Sequence, residues 1–107
     1  MSETSPRRPL SRDEAIRILR SHAHDLRARG VRRLALFGSV ARNEAGPDSD
    51  VDLLLDIDDS RDLSLVGLAG LRLDLCDALG RDVEIVERPF LKPYIRSAIL
   101  AEAVEIF

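Results

Sequence analysis

The chain has 107 residues, 45% of them hydrophobic and 33% charged, which predicts one globular domain and excludes a largely disordered chain. Nineteen acidic residues against 16 basic ones give a net charge of −3, so no global positive charge indicates direct binding to nucleic acid or to an anionic membrane. The single cysteine excludes an internal disulfide, and with no apolar leader or long apolar run we expect a cytoplasmic protein that does not span a membrane.

The first predicted element is a helix that follows a polar segment. Residues 1–9 are interpreted as a flexible tail, and residues 10–107 as the folded domain. Ser11 and Glu14 have the spacing of a capping box, which predicts that the helix begins there. Gly30 predicts its end, because glycine takes the left-handed conformation that often closes a helix.

Two strands follow, separated by a turn and a loop. The apolar run 31–37 predicts a strand covered on both faces, and Gly38-Ser39 ends it. Residues 40–44 are predicted to form a short helical turn before a loop at 45–47. The alternation of apolar and acidic residues over 51–57 predicts the second strand.

In the second half of the chain, predicted helices again alternate with predicted strands. Leucines at helical spacing predict a helix over 64–79 that ends at Gly80, and residues 82–86 predict a third strand. Pro93 suits the first turn of a last helix, which is expected to reach about Leu100, and residues 103–107 are predicted to add an edge strand. This order predicts an α/β or α+β domain, with helices packed on a mixed sheet.

A cluster of polar residues lies at the junction of the first two strands. Asp50 and Asp52 are two apart on a strand, so both carboxylates project from one face and can hold hard cations. Ten residues separate Asp50 from the preceding Gly38-Ser39 pair, which offers backbone N–H groups and a hydroxyl that favour phosphate. Together these features predict a cleft for metal and triphosphate, and two-metal chemistry of the kind used in nucleotidyl transfer.

Two further side chains are candidates for the same cleft. Glu84 is the polar residue of the third strand and is predicted to supply a third carboxylate. Arg42 could bind phosphate or could form a salt bridge with Glu44 or Asp48, and the sequence leaves both open.

At this point the sequence resembles the DNA polymerase beta nucleotidyltransferase superfamily, and within it the minimal nucleotidyltransferases that act as antitoxins of HEPN toxins. The resemblance rests on LFGSVARNEAGPDSDVDLLLDID, LGRDVEIVE and the terminal ILAEAVEIF. The first segment is the specific one, since it combines the Gly-Ser turn and the Asp-x-Asp pair at the family's spacing. The resemblance implies a single small nucleotidyltransferase domain.

The resemblance also assigns roles to individual residues. It implies that Asp50, Asp52 and Glu84 are catalytic residues and bind Mg²⁺. It implies nucleotide binding by four residues: Gly38, Ser39, Arg42 and Ser49. The chain departs from the usual family pattern at two positions, with Asn43 where glycine is common and Glu84 where aspartate is common.

The function implied by the resemblance is Mg²⁺-dependent transfer of AMP from ATP to a protein hydroxyl. The acceptor would be a tyrosine of a HEPN ribonuclease toxin, which makes the chain the antitoxin of a type VII-like pair. Because the chain is too short for an acceptor-binding domain, we expect another protein to present the acceptor, and a homo- or hetero-oligomer is compatible with the sequence. The alternative is a catalytically weak or inactive antitoxin that neutralises its toxin by binding alone.

Overall fold

A computed structural model describes residues 8–58 and 63–107. The helices are α1 (Arg12–Ser21), α2 (Ala23–Ala28), α3 (Gly38–Ala41), α4 (Leu65–Leu79) and α5 (Pro93–Glu102). The strands are β1 (Val31–Phe37), β2 (Val51–Ile57), β3 (Val83–Glu87) and β4 (Val104–Glu105), and a 3-10 turn spans Arg88–Phe90. Of the predicted tail, residues 1–7 lie outside the described part of the chain.

The four strands form one mixed sheet in the order β3-β2-β1-β4. β1 is antiparallel to both of its neighbours, whereas β2 and β3 are parallel and are joined through α4. Parallel neighbours need a crossover of this kind, and a helix is its usual form. The prediction of an α+β domain with a mixed sheet is therefore confirmed.

The larger core lies on one face of the sheet, under the helices α1, α2 and α4. Alternate residues of β2 supply this face, with Val51, Leu53 and Leu55 fully buried. The opposite face carries a smaller cluster in which Ala35 and Leu54 pack with Leu91, under α5. Asp52 belongs to this second face because side chains alternate along a strand. The site thus lies on the side of the sheet that has the thinner cover.

The predicted ends of the strands β1, β2 and β3 and of the helix α4 agree with the structure to within one residue. β1 and β2 span the predicted residues, and β3 is shifted by one. Ser64 caps α4 by accepting a hydrogen bond from the Gly67 N–H at 3.0 Å, and Gly80 ends that helix with φ of 69°. Leu34 continues the pairing of β1 with the terminal segment beyond β4, because its carbonyl accepts from the Ile106 N–H at 2.8 Å.

Two predictions about helix boundaries are wrong. The single helix expected between Ser11 and Gly30 is divided at His22, whose N–H bonds the carbonyl of Leu19 three residues back. The Ser21 hydroxyl donates to the Ile18 carbonyl at 2.6 Å, and such side-chain bonds compete with the regular helical pattern.

The short helical turn predicted over 40–44 is present, but it begins two residues earlier, at Gly38, as the helix α3. Its first hydrogen bond runs from the Arg42 N–H to the Gly38 carbonyl, at 3.1 Å. No helix of the described residues is long and apolar enough to cross a membrane.

Candidate active site

The register of three strands brings the predicted site residues together. Phe37 at the end of β1 is paired with Asp52 of β2, and Asp52 is paired with Glu84 of β3. Gly38 follows Phe37 directly, so the Gly-Ser turn begins beside the Asp52 carboxylate. One row across the sheet therefore holds the turn and two of the three predicted carboxylates.

Gly38 and Asp52 are in close contact. Gly38 has φ of 77°, a left-handed conformation that residues with a side chain rarely adopt. A Cβ atom built at this position would lie 2.1 Å from Asp52 Oδ2. Glycine is thus required here both for its backbone conformation and for space.

The carboxylates around Asp52 perturb its protonation. The pKa of Asp52 is raised to about 6: burial is the largest cause, followed by the neighbouring Glu84 carboxyl and then by the negative charges of Asp50 and Glu102. Each of these causes disfavours the ionised form of Asp52, because burial removes water from the charge and the neighbouring carboxylates repel it. The site is therefore a concentration of negative charge that a cation would relieve.

The donor set fits Mg²⁺, although the described residues contain no group of three Asp, Glu, His or Cys side chains arranged to hold a metal ion. Mg²⁺ prefers oxygen ligands, and it is commonly held by one or two carboxylates together with phosphate oxygens and water. Asp50 and Asp52 supply two carboxylates of this kind.

Arg42 lies at the other side of the turn and is held by two ion pairs. Its Nε atom is 3.0 Å from Glu44 Oε1, and its Nη1 atom is 2.9 Å from Glu102 Oε1. The bonds with Glu44 and Glu102 raise the pKa of Arg42 further above its usual value, so the side chain is a permanent cation. The predicted salt bridge with Glu44 is present, and the predicted contact with phosphate stays a prediction.

The two serines take different places. Ser39 lies inside α3 and is half-buried, next to Gly38. Ser49 lies in the loop before β2, where its hydroxyl accepts a hydrogen bond from the Gly46 N–H at 2.8 Å. Ser49 therefore closes the loop that leads to Asp50, and a direct contact of Ser49 with nucleotide stays a prediction.

The turn after Arg42 explains one departure from the family pattern. Asn43 has φ of 59°, and it is the one non-glycine residue with positive φ in the described residues 8–58 and 63–107. Asparagine tolerates this conformation better than most residues. The Asn43 side-chain oxygen also accepts a hydrogen bond from the Arg12 N–H at 3.1 Å, which links the turn to the start of α1.

Glu102 is a site residue that the sequence analysis missed. Its Oε2 atom accepts a hydrogen bond from the Gly38 N–H at 2.8 Å, although 64 residues separate the two in the chain. β4 pairs Val104 with Leu36, which brings the end of α5, where Glu102 lies, next to Gly38. The edge strand predicted over 103–107 pointed to this region, but the sequence did not show that this strand pairs with β1, nor in which register.

Two clefts meet at Glu84. One, of about 580 Å³, lies between α4 and β3 and is also lined by Asp50, Arg72 and Leu68. The other, of about 360 Å³, is lined mainly by apolar and aromatic side chains of the C-terminal segment, including Phe90 and Tyr94. A carboxylate between two clefts can contact groups bound in both of them.

The model of the nucleotidyltransferase domain family matches residues 16–106, which include every residue of this site. The chain belongs to this family. It is a minimal nucleotidyltransferase, homologous to the MntA protein adenylyltransferases. The family resemblance seen in the sequence is thereby confirmed.

Among curated proteins, the chain is 39% identical over 98 residues to the protein adenylyltransferase MntA of Thermococcus cleftensis, covering 91% of this chain and 97% of that one. It is 36% identical over 77 residues to a proposed protein adenylyltransferase of Methanocaldococcus jannaschii, covering 72% of this chain and 81% of that protein.

Solved structures show the same fold. The structure of a proposed minimal nucleotidyltransferase matches with a TM-score of 0.70 and 42% identity, covering 85% of this chain and 92% of that chain. A toxin-antitoxin structure with AMP-PNP matches with a TM-score of 0.64 and 19% identity, covering 92% of this chain and 73% of that chain. The MNT antitoxin in complex with a tri-AMPylated HEPN toxin of Shewanella oneidensis matches with a TM-score of 0.60 and 17% identity, covering 86% of this chain and 71% of that chain.

Proposed function

We propose that this minimal nucleotidyltransferase transfers AMP from ATP to a hydroxyl of a partner protein. The observation that carries the proposal is the contact between Gly38 and Asp52, which places the proposed phosphate-binding turn beside one of the two proposed metal ligands. The homology to protein adenylyltransferases supports a protein as the acceptor.

The partner proposed is a HEPN ribonuclease toxin, and the acceptor is a tyrosine hydroxyl. Structures with the same fold include an antitoxin in complex with a tri-AMPylated HEPN toxin, which supports this partner class. Modification of the toxin would silence it, so the chain would act as the antitoxin. The cleft between α4 and β3, at the edge of the sheet, is the proposed entry for the acceptor side chain because Asp50 and Glu84 both line it.

Each site residue has a role in the proposed transfer. The N–H groups of the Gly38-Ser39 turn and the Arg42 guanidinium bind the triphosphate. Asp50 and Asp52 would hold Mg²⁺, and a bound Mg²⁺ would supply positive charge that neutralises the phosphates and lowers the pKa of the acceptor hydroxyl. Glu84 takes the hydroxyl proton.

The proposed reaction exchanges one bond at the α-phosphorus of ATP for another. The acceptor oxygen forms a bond to the α-phosphorus, and the bond from that phosphorus to the oxygen bridging to the β-phosphate breaks. Pyrophosphate leaves with the bridging oxygen, and AMP remains on the acceptor.

The test is transfer of label from ATP labelled at the α-phosphate to a purified HEPN toxin. We expect the parent protein to label the toxin, and the double variant Asp50→Asn with Asp52→Asn to lose the activity. Asp56→Asn is the matched control, since Asp56 lies on the same strand and face but pairs with Arg32 at 3.2 Å. Stoichiometric neutralisation of the toxin without transfer of label would instead support an antitoxin that acts by binding alone.

A further inference from the structure

The carboxylate of Glu102 is bound by two groups of the proposed phosphate site at once, the Gly38 N–H and the Arg42 guanidinium. Oε2 accepts from the Gly38 N–H at 2.8 Å, and Oε1 lies 2.9 Å from Arg42 Nη1. The Glu102 side chain is 27% exposed, so it lies at the edge of the site rather than in free solvent. Each carboxylate oxygen therefore has its own donor, as two oxygens of one phosphate group would.

The hydrogen bond to Glu102 gives the Gly38 N–H a partner from a distant part of the chain. Phe37 is the N-cap residue of α3, and its apolar side chain cannot accept a hydrogen bond from the first N–H groups of this helix. The first N–H groups of a helix lack partners within the helix, so an anion from elsewhere is favourable there. Glu102 supplies that anion from the end of α5.

The same carboxylate is unfavourable for a bound triphosphate. In the proposed function, the Gly38 N–H and Arg42 are donors to the phosphates, and both are already occupied by Glu102. A carboxylate that remained there would also place its negative charge beside the phosphates and neutralise Arg42. Phosphate and Glu102 therefore cannot both use these donors fully.

We propose that Glu102 is an intramolecular competitor of the nucleotide: it occupies the phosphate-binding groups of the free protein and is displaced when the triphosphate binds. This inference rests on the proposed function. The measured affinity for nucleotide is then the intrinsic affinity multiplied by the fraction of molecules in which Glu102 has left the site. Glu102 thus sets the nucleotide concentration at which the site fills.

The opposite role is that Glu102 positions Arg42 and the turn for the nucleotide. The two roles predict opposite signs for removal of its charge. A competitor weakens binding, so its removal strengthens binding. A positioning residue strengthens binding, so its removal weakens it.

The experiment is calorimetric titration of the parent protein, Glu102→Gln and Glu105→Gln with Mg-ATP and, separately, with Mg²⁺ and inorganic triphosphate. Glu105 is the matched control, because it is a nearby glutamate that pairs with Arg33 at 3.2 Å, away from the turn. We expect Glu102→Gln to bind both ligands about 5-fold to 10-fold more tightly than the parent, as expected for the loss of one charge-assisted contact. Glu105→Gln should bind as the parent does.

Circular dichroism and thermal melting establish that each variant is folded. Glu102→Asp is the second variant, since it keeps the charge but shortens the side chain by one methylene group, and we expect its affinity to lie between those of the parent and Glu102→Gln. Equal or weaker binding by folded Glu102→Gln overturns the inference and leaves the proposed function intact. Absence of Mg-ATP binding by the parent and every variant overturns both.

Discussion

Asp52 and Glu84 are register partners on the parallel strands β2 and β3, which places their two carboxyl groups side by side at the edge of the sheet. Burial and then the charge of Glu84 raise the pKa of Asp52 to about 6. The pair therefore costs folding free energy whenever both groups are ionised. Repulsion between the two carboxylates lowers the stability of the free protein, and the same negative charge attracts a cation.

The first prediction is that Asp52→Asn stabilises the metal-free protein at pH 7.5. The pKa of Asp52 is raised from 3.8 to about 6 by folding, so the native state binds more protons than the unfolded state between these values. The contribution of Asp52 to stability is then greatest below pH 4 and falls as the pH rises through about 6. We expect a gain of about 1 kcal/mol, well below the full linkage value because Asp52 is only half-buried.

Urea unfolding in EDTA at pH 4, 5.5 and 7.5 measures this gain. The difference between Asp52→Asn and the parent should shrink as the pH falls. Asp56→Asn is the control on the same strand, and we expect it to lack this trend because Asp56 faces Arg32. A variant less stable than the parent at pH 7.5 would contradict the prediction.

The second prediction compares two glycines that share a conformation but not a neighbourhood. Gly38 and Gly80 have φ of 77° and 69°, yet a Cβ at Gly80 would meet nothing within 4 Å. Gly80→Ala should therefore cost about 1 kcal/mol of unfolding free energy, from backbone strain alone. Gly38→Ala adds the clash with Asp52, so we expect a loss of about 2–3 kcal/mol and impaired Mg-ATP binding.

The double variant Gly38→Ala with Asp52→Ala isolates the clash. Removal of the Asp52 carboxylate should recover the part of the loss that exceeds the Gly80→Ala value, which a double-mutant cycle measures by urea unfolding. Equal losses for the two single glycine variants would show that the contact between Gly38 and Asp52 has no energetic consequence.

The sequence predicted those parts of the site whose geometry is local. Asp50 and Asp52 share a face because strand periodicity requires it, and the Gly-Ser turn follows β1 because glycine ends the apolar run. The ends of β1 and β2 were predictable for the same reason. Patterns of hydrophobicity and turn residues predict helices, strands and turns, which are formed by residues close together in the chain.

The rest of the site depends on strand pairing that sequence patterns do not specify. Glu102 is the last residue of α5, and it reaches Gly38 because β4 pairs with β1 in one register, which fixes where the end of α5 lies along β1. The break at His22 depends on a hydroxyl bond to a backbone carbonyl that competes with helix geometry. Both features result from particular contacts rather than from periodicity.

The third prediction concerns Mg²⁺. The double variant Asp50→Asn with Asp52→Asn should bind Mg-ATP at least about 10-fold more weakly than the parent, since two of the proposed oxygen ligands lose their charge. Excess EDTA should weaken the binding of ATP to the parent and should leave the double variant almost unaffected. Calorimetry gives both values, and unchanged Mg-ATP affinity in the folded double variant would show that the metal site is wrongly placed.

The last prediction separates an enzyme from an antitoxin that acts by contact alone, and it concerns Glu84. This residue is exposed on β3 and lines both clefts, so it can meet the acceptor and the nucleotide. Glu84→Gln keeps the shape and removes the charge. We expect transfer of labelled AMP to the partner to fall by about 10²-fold or more, the scale of lost general-base catalysis.

Binding of Glu84→Gln to the partner should survive, which a pull-down with purified toxin measures alongside transfer. Glu87→Gln is the matched control, because Glu87 lies on the same strand three residues beyond Glu84, on the opposite face of the sheet and beside Leu55. Its transfer rate should equal that of the parent. Full transfer activity in Glu84→Gln would remove Glu84 from the catalytic residues, because a glutamine side chain can neither accept the hydroxyl proton nor carry the charge that a metal requires.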